Sequence, residues 1–81
     1  MELVPVRCRI PELLVRRANM EPPTSPIKIN QQWLADNIDM SKQQLSDYIN
    51  LRRKNMRLQK AHLIAYYLDC QVDDLYVMEW R

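Results

Sequence analysis

The 81-residue sequence predicts an all-α fold, a compact bundle of four to five short helices, with a short two-stranded ribbon added where the chain ends meet. Three observations carry that expectation. Apolar residues recur at helical spacing through the middle of the chain, helix start signals precede those runs, and only the two ends are rich in Val, Tyr, Trp and Ile in loose alternation. A chain of this length is stable only if most of its apolar side chains share a core, so residues 1–81 read as a single domain.

The first of the two end segments, VPVRCRI, suits a short strand. Pro11 fits the start of a helix, because its missing N–H would be unpaired there anyway, and Ile10, Leu13, Leu14 and then Arg17 or Ala18 recur at helical spacing. A helix over about 11–20 follows. The segment EPPTSPIK, with Pro22, Pro23 and Pro26, cannot continue it and reads as a stiff loop. Asn30 caps a second helix of about 31–38, and Ile29 and Leu34 have the spacing of a hydrophobic staple. Trp33, Leu34 and Ile38 are its apolar positions. Ser41 and Gln44 then form an S-x-x-Q capping box, with Met40 and Leu45 at staple spacing, and open a third helix of about 42–50. Leu45, Tyr48 and Ile49 point one way, leaving Lys42, Gln43, Ser46, Asp47 and Asn50 on the other. After the loop LRRKNMR, the positions Leu58, Ala61, Ile64, Ala65 and Leu68 place a buried stripe on a fourth helix of about 57–69. VDDLY makes a fifth short helix or turn with Val72 and Leu75 inward, and LYVMEWR supplies the second strand of the ribbon.

The chain has no glycine. Between the second and third helices, where a tight turn needs one residue with positive φ, it has Asp39. Asp and Asn tolerate that conformation better than other side chains, so Asp39 is expected to adopt it.

Net charge is only +2, but it is unevenly distributed. Residues 1–41 balance. Residues 42–60 carry Lys42, Arg52, Arg53, Lys54, Arg57 and Lys60 against Asp47 alone, a net +5, and the last 21 residues carry a net −3. Positive charge is thus concentrated in and just after the third helix, where a phosphate backbone could use it.

Several functions find no support. No apolar run approaches the roughly 18 residues of a membrane span, and the N-terminus lacks the regions of a secretory signal, so a cytoplasmic location is expected. Cys8 and Cys70 form no CxxC and read as small core residues, so no metal and no cofactor is expected. His62, the lone histidine, falls opposite much of the fourth helix's apolar stripe and reads as a surface residue. Ser41 and Ser46 lack a neighbouring base, a Gly-rich phosphate loop is impossible, and Asp73 and Asp74 suit the first turn of a helix. The expectation is a protein that is not an enzyme.

What remains is a helix pair joined by a sharp turn, followed by a cluster of arginines. The run NQQWLADNIDMSKQQLSDYIN, residues 30–50, resembles the helix-turn-helix (about 31–50) of the Cro and lambda-repressor type (Xre-like) family. The features carrying the resemblance are Gln31, Leu34, Ala35, Met40, Ser41, Leu45, Ser46, Asn50 and the basic residues Arg52 to Lys54. It continues through the fourth helix and VDDLY, covering about residues 10–76. Ala35 is small where the two helices cross closely.

The resemblance implies a repressor-type domain that binds double-stranded DNA sequence-specifically, with the third helix in the major groove. It assigns base contact to Lys42, Gln43, Ser46 and Asp47. Lys42 matches guanine O6 and N7, Gln43 matches adenine N6 and N7, and the acceptor Asp47 matches cytosine N4. Gln31, Ser41, Gln44, Asn50, Arg52, Arg53, Lys54 and Arg57 are assigned to the sugar–phosphate backbone. The implied function is transcriptional regulation, as a repressor in a bacterium or phage. Three features depart from the family pattern: the longer proline-rich loop, a basic loop one residue longer, and Asp39 in place of glycine. The alternative is a protein–protein interaction module or antirepressor on the same fold, using the Trp80 end. Tyr76, Val77, Met78 and Trp80 form an apolar tail that a small core does not fully cover, which leads to the expectation of a homodimer through this C-terminal segment.

Overall fold

A computed structural model describes residues 1–53 and 55–81. Among the described residues there are four helices, α1 (Ile10–Met20), α2 (Gln31–Asn37), α3 (Lys42–Ile49) and α4 (Leu58–Leu68), followed by a 3-10 turn over Val72–Asp74. The chain ends pair as an antiparallel ribbon of β1 (Leu3–Cys8) and β2 (Tyr76–Trp80).

Local sequence signals start the helices as expected. The Asn30 side chain accepts from the Trp33 N–H at 2.9 Å, and Ser41 and Gln44 complete both halves of the capping box. Helix α1 begins one residue earlier than the proline suggested, at Ile10, which is fully buried with Leu13 and Leu14 behind it. These residues meet Leu34, Ala35 and Ile38 of α2, Leu45 of α3, and Ala61, Ile64 and Leu68 of α4, with Leu75 closing the core. Burying seven large side chains almost completely is worth roughly 1.5 to 3 kcal/mol each, which explains how so short a chain holds together. Leu58 departs from the expected stripe. It is 68% exposed, because it opens α4 before the helix reaches the body, and the core covers only the later turns. His62 is exposed. Cys8 and Cys70 are half-buried against the core, and burial pushes both thiols above their ordinary pKa.

Among the described residues, the absence of glycine is solved in the same way three times. Asp39 (φ 53°), Leu51 (φ 60°) and Asp69 (φ 54°) are left-handed, one at the end of each of α2, α3 and α4. In each case the next residue's N–H reaches back five positions: Met40 to Ala35 at 3.0 Å, Arg52 to Asp47 at 2.8 Å, and Cys70 to Ala65 at 3.0 Å. This is the Schellman arrangement, which satisfies carbonyls the helix would otherwise leave unpaired. Only Asp39 was anticipated. At α3 the apolar contact that often accompanies the motif is replaced by an ion pair, Arg52 to Asp47 at 3.4 Å.

Long-range ties fix the helix ends to one another. The Arg16 guanidinium donates to the carbonyls of Leu68 and Asp69 at 3.0 and 2.6 Å, capping α4 from α1. Arg17 pairs with Glu21 at 2.6 Å and lies 5.8 Å from the centre of the Trp33 ring. Among the described residues, no helix is long and apolar enough to cross a membrane.

Candidate nucleic-acid interface

The helix-turn-helix is assembled by the turn at Asp39 and held from outside by α4. The Lys60 ammonium donates to the carbonyl of Ile38 and, at 3.3 Å, to that of Asp39. A cation at the carbonyl end of α2 is well placed electrostatically. It also ties the angle between α2 and α3 to the body. Nothing in the sequence marked Lys60 for this role, because its partners lie 21 and 22 residues away.

The N-terminal turn of α3 is presented to solvent, with Ser41, Lys42, Gln43 and Gln44 all exposed. Ser41 and Gln44 serve the capping box, Ser41 Oγ accepting from the Gln44 N–H at 3.1 Å and Gln44 Oε1 accepting from the Ser41 N–H at 3.2 Å. Each spends an acceptor there. The hydroxyl proton of Ser41 and the amide protons of Gln44 therefore stay available to a phosphate oxygen.

Further along α3, two side-chain pairs close on themselves. Gln43 Nε2 donates to Asp47 Oδ1 at 3.0 Å, and the same oxygen takes Arg52 at 3.4 Å. One Gln43 amide proton is used, which leaves its other proton and Oε1 for a donor–acceptor pair such as an adenine edge offers. Asn50 folds back to donate to Ser46 O at 2.9 Å and Ser46 Oγ at 3.1 Å. Ser46 and Asp47 are only half-exposed, so they sit lower on the helix than Lys42 and Gln43.

Gln31 opens α2, where the first amide groups lack intrahelical partners, and is half-buried. Arg52, Arg53 and Arg57 are exposed. A hollow of about 260 Å³ lies between the turn and the basic loop, and it gathers Gln44, Arg53 and Arg57 with Lys60, Asp39, Met40 and Tyr48. The Tyr48 hydroxyl donates to Asn55 O at 3.5 Å, a long contact from α3 to that loop. Lys54 lies outside the described residues. The exposed side chains assigned to bases and the arginines assigned to phosphates thus flank one turn and one loop, and Asp47 links the two groups. Among the described residues, no group of three or more His, Cys, Asp or Glu side chains is placed to hold a metal ion.

Comparison with known proteins identifies the family of the fold. The family model of the Cro/C1-type HTH DNA-binding domain matches residues 27–79, from before α2 into β2. The chain is also similar to the SPbeta prophage-derived uncharacterized HTH-type transcriptional regulator YopS of Bacillus subtilis (strain 168). The two are 40% identical over 70 residues, covering 86% of this chain and 81% of that protein. The matched span contains the capped helix pair, the basic loop and α4, and the chain belongs to the Cro/C1-type helix-turn-helix DNA-binding family.

Proposed function

We propose that residues 1–81 act as one sequence-specific double-stranded DNA-binding unit, a cytoplasmic transcriptional repressor of bacterial or phage origin that works by binding rather than catalysis. The observation that carries this reading is the exposed, doubly capped N-terminus of α3 standing beside three exposed arginines. In this reading α3 enters the major groove, Lys42 and Gln43 read base edges, and Ser46 and Asp47 complete the base-facing set. Gln31, Ser41, Gln44, Asn50, Arg52, Arg53, Lys54 and Arg57 hold the sugar–phosphate backbone and set register. The prophage-derived relative supports the phage association.

One such unit covers little DNA, so specificity calls for two copies about one helical turn, roughly 34 Å, apart. Tyr76, Val77, Met78 and Trp80 supply the homodimer contact, with Trp80 65% and Met78 42% exposed. The test is duplex binding across a salt series after selection of bound sequences from a random pool. If Arg52, Arg53, Lys54 and Arg57 each neutralise a phosphate, log K falls against log salt with a slope on the order of −3 to −4 per subunit. Salt-independent or absent duplex binding would refute the reading and leave the fold to protein–protein contacts.

A further inference from the structure

Asp47 joins the two groups of residues assigned to DNA. Its carbonyl accepts from the N–H of Arg52 at 2.8 Å and from that of Arg53 at 3.2 Å, so the start of the basic loop is folded onto this one residue. Its carboxylate Oδ1 accepts from Gln43 Nε2, one turn earlier on α3, at 3.0 Å and from the Arg52 guanidinium at 3.4 Å. The Asp47 side chain is 23% exposed against 63% for Arg52, whereas Gln43 is exposed. The carboxylate therefore lies below the glutamine it holds.

The chemistry of that contact fixes more than a position. A carboxylate accepts and cannot donate, so the amide atom that Gln43 turns toward it has to be the nitrogen. A glutamine amide in water turns over and shows its oxygen and nitrogen in either order. Here one Nε2 proton is spent on Asp47, and the other N–H and Oε1 remain for a base edge in one fixed order. Order matters at an adenine, whose major-groove edge offers the N7 acceptor and the N6 donor. The N6 hydrogen left over from base pairing lies on the N7 side, so the two groups act together, and exchanging A·T for T·A reverses them across the groove. An amide of fixed sense fits one of the two pairs.

We propose that Asp47 is a positioning residue that fixes the amide sense of Gln43, and thereby makes α3 distinguish A·T from T·A at the base pair that Gln43 meets. This rests on the major-groove reading above and gives Asp47 its part in the base-facing set: it acts on the bases through Gln43. Arg52, on the same oxygen, offsets the negative charge that a carboxylate brings near phosphates. The grip of the loop and the sense of the reader thus share one side chain.

The test measures binding of the parent, Asp47→Asn, Asp47→Glu, Gln43→Ala and the double variant Gln43→Ala with Asp47→Asn. The duplexes come from sites selected out of a random pool and differ only by exchange of A·T for T·A at the pair where Gln43→Ala loses its preference. Asn keeps the size of the side chain but both donates and accepts, so it takes the Gln43 amide either way round, whereas Glu still only accepts. The ratio of two affinities for one variant cancels the sequence-independent gain that follows from losing a negative charge. The expected result is a parent that favours one of the two duplexes by about fivefold or more, the low end of what one bidentate contact is worth. Asp47→Glu keeps that ratio, Asp47→Asn brings it close to one with salt-dependent binding retained, and adding Asp47→Asn to Gln43→Ala changes no further preference. Four results would overturn the role of Asp47 and leave the DNA-binding reading standing: an unchanged ratio in Asp47→Asn, a lost ratio in Asp47→Glu, a preferred pair other than A·T, or a second base pair whose preference Asp47→Asn removes with or without Gln43. Loss of all duplex binding in Asp47→Asn would also overturn it, because a positioning role leaves the phosphate contacts in place. A parent whose duplex binding is absent or independent of salt would overturn both.

Discussion

Substituting Asp39 tests the geometric basis of the helix-turn-helix. Its φ of 53° lies in the left-handed region, where a side chain with a Cβ costs roughly 1 to 2 kcal/mol and a β-branched one more. Among the described residues its carboxylate makes no hydrogen bond or ion pair. The Lys60 ammonium meets its carbonyl, which any residue supplies. Asp39→Asn therefore keeps left-handed tolerance, loses only an unpaired charge, and should be close to neutral. Asp39→Gly removes the strain but adds about 0.5 to 1 kcal/mol of unfolded-chain entropy, so it should be neutral or mildly stabilising. Asp39→Val raises the strain and threatens the 3.0 Å bond from the Met40 N–H to Ala35 O, itself worth about 1 kcal/mol. The sum is a loss of about 1 to 3 kcal/mol, or roughly 5 to 20 °C in Tm for a chain of this size. Thermal melts followed by circular dichroism on the parent and the three variants measure this. A Val variant as stable as the parent would refute the argument, since it would mean that the turn tolerates a residue the left-handed conformation excludes.

Three further outcomes follow from the site and its supports. Gln43→Ala should relax base preference at one or two positions, whereas Arg53→Ala should weaken all duplexes alike and reduce the salt slope by about one; equal losses on every sequence for Gln43→Ala would remove it from base readout. Lys60→Met keeps the aliphatic stem but leaves the Ile38 carbonyl without its cation, which should cost about 1 to 2 kcal/mol in urea unfolding, and an unchanged midpoint would show the tie to be idle. The hydrogen bond from Arg17, helped by one from Ser25, holds the Glu21 carboxyl below its ordinary pKa. Its contribution is therefore fully present above the ordinary value of about 4.3 and is lost as pH falls through the lower folded value. The stability difference between the parent and Glu21→Gln should accordingly be constant above about pH 5 and shrink below it, and a difference that grew on acidification would contradict the sign.

The sequence by itself determined whatever depends on residues within about four positions of one another. Asn30 with Trp33 and Ser41 with Gln44 started their helices as read, and the recurrence of Leu34, Leu45, Ile64 and Leu68 placed the core. Asp39 was legible because the chain offers the turn no glycine and few residues accept positive φ. Leu51 was not legible, since leucine has no left-handed preference. It adopts that conformation because Arg52 can bond Asp47 through both its amide and its guanidinium, a gain available only once α3 has formed.

The tertiary structure alone decided which charges face solvent and which are structural. Arg16 and Lys60 look like any surface cations in the sequence, yet each caps a helix that lies 20 or more residues away. The apolar pattern placed Leu58 in the core, yet the fold leaves it in water, because periodicity reports a helix face and not how far along the helix its neighbours reach. The links from Asp47 to Gln43 and Arg52 were hidden for a similar reason. Spacing shows that two polar side chains share a face, but whether they bond each other depends on the rotamers and the loop that the folded chain imposes.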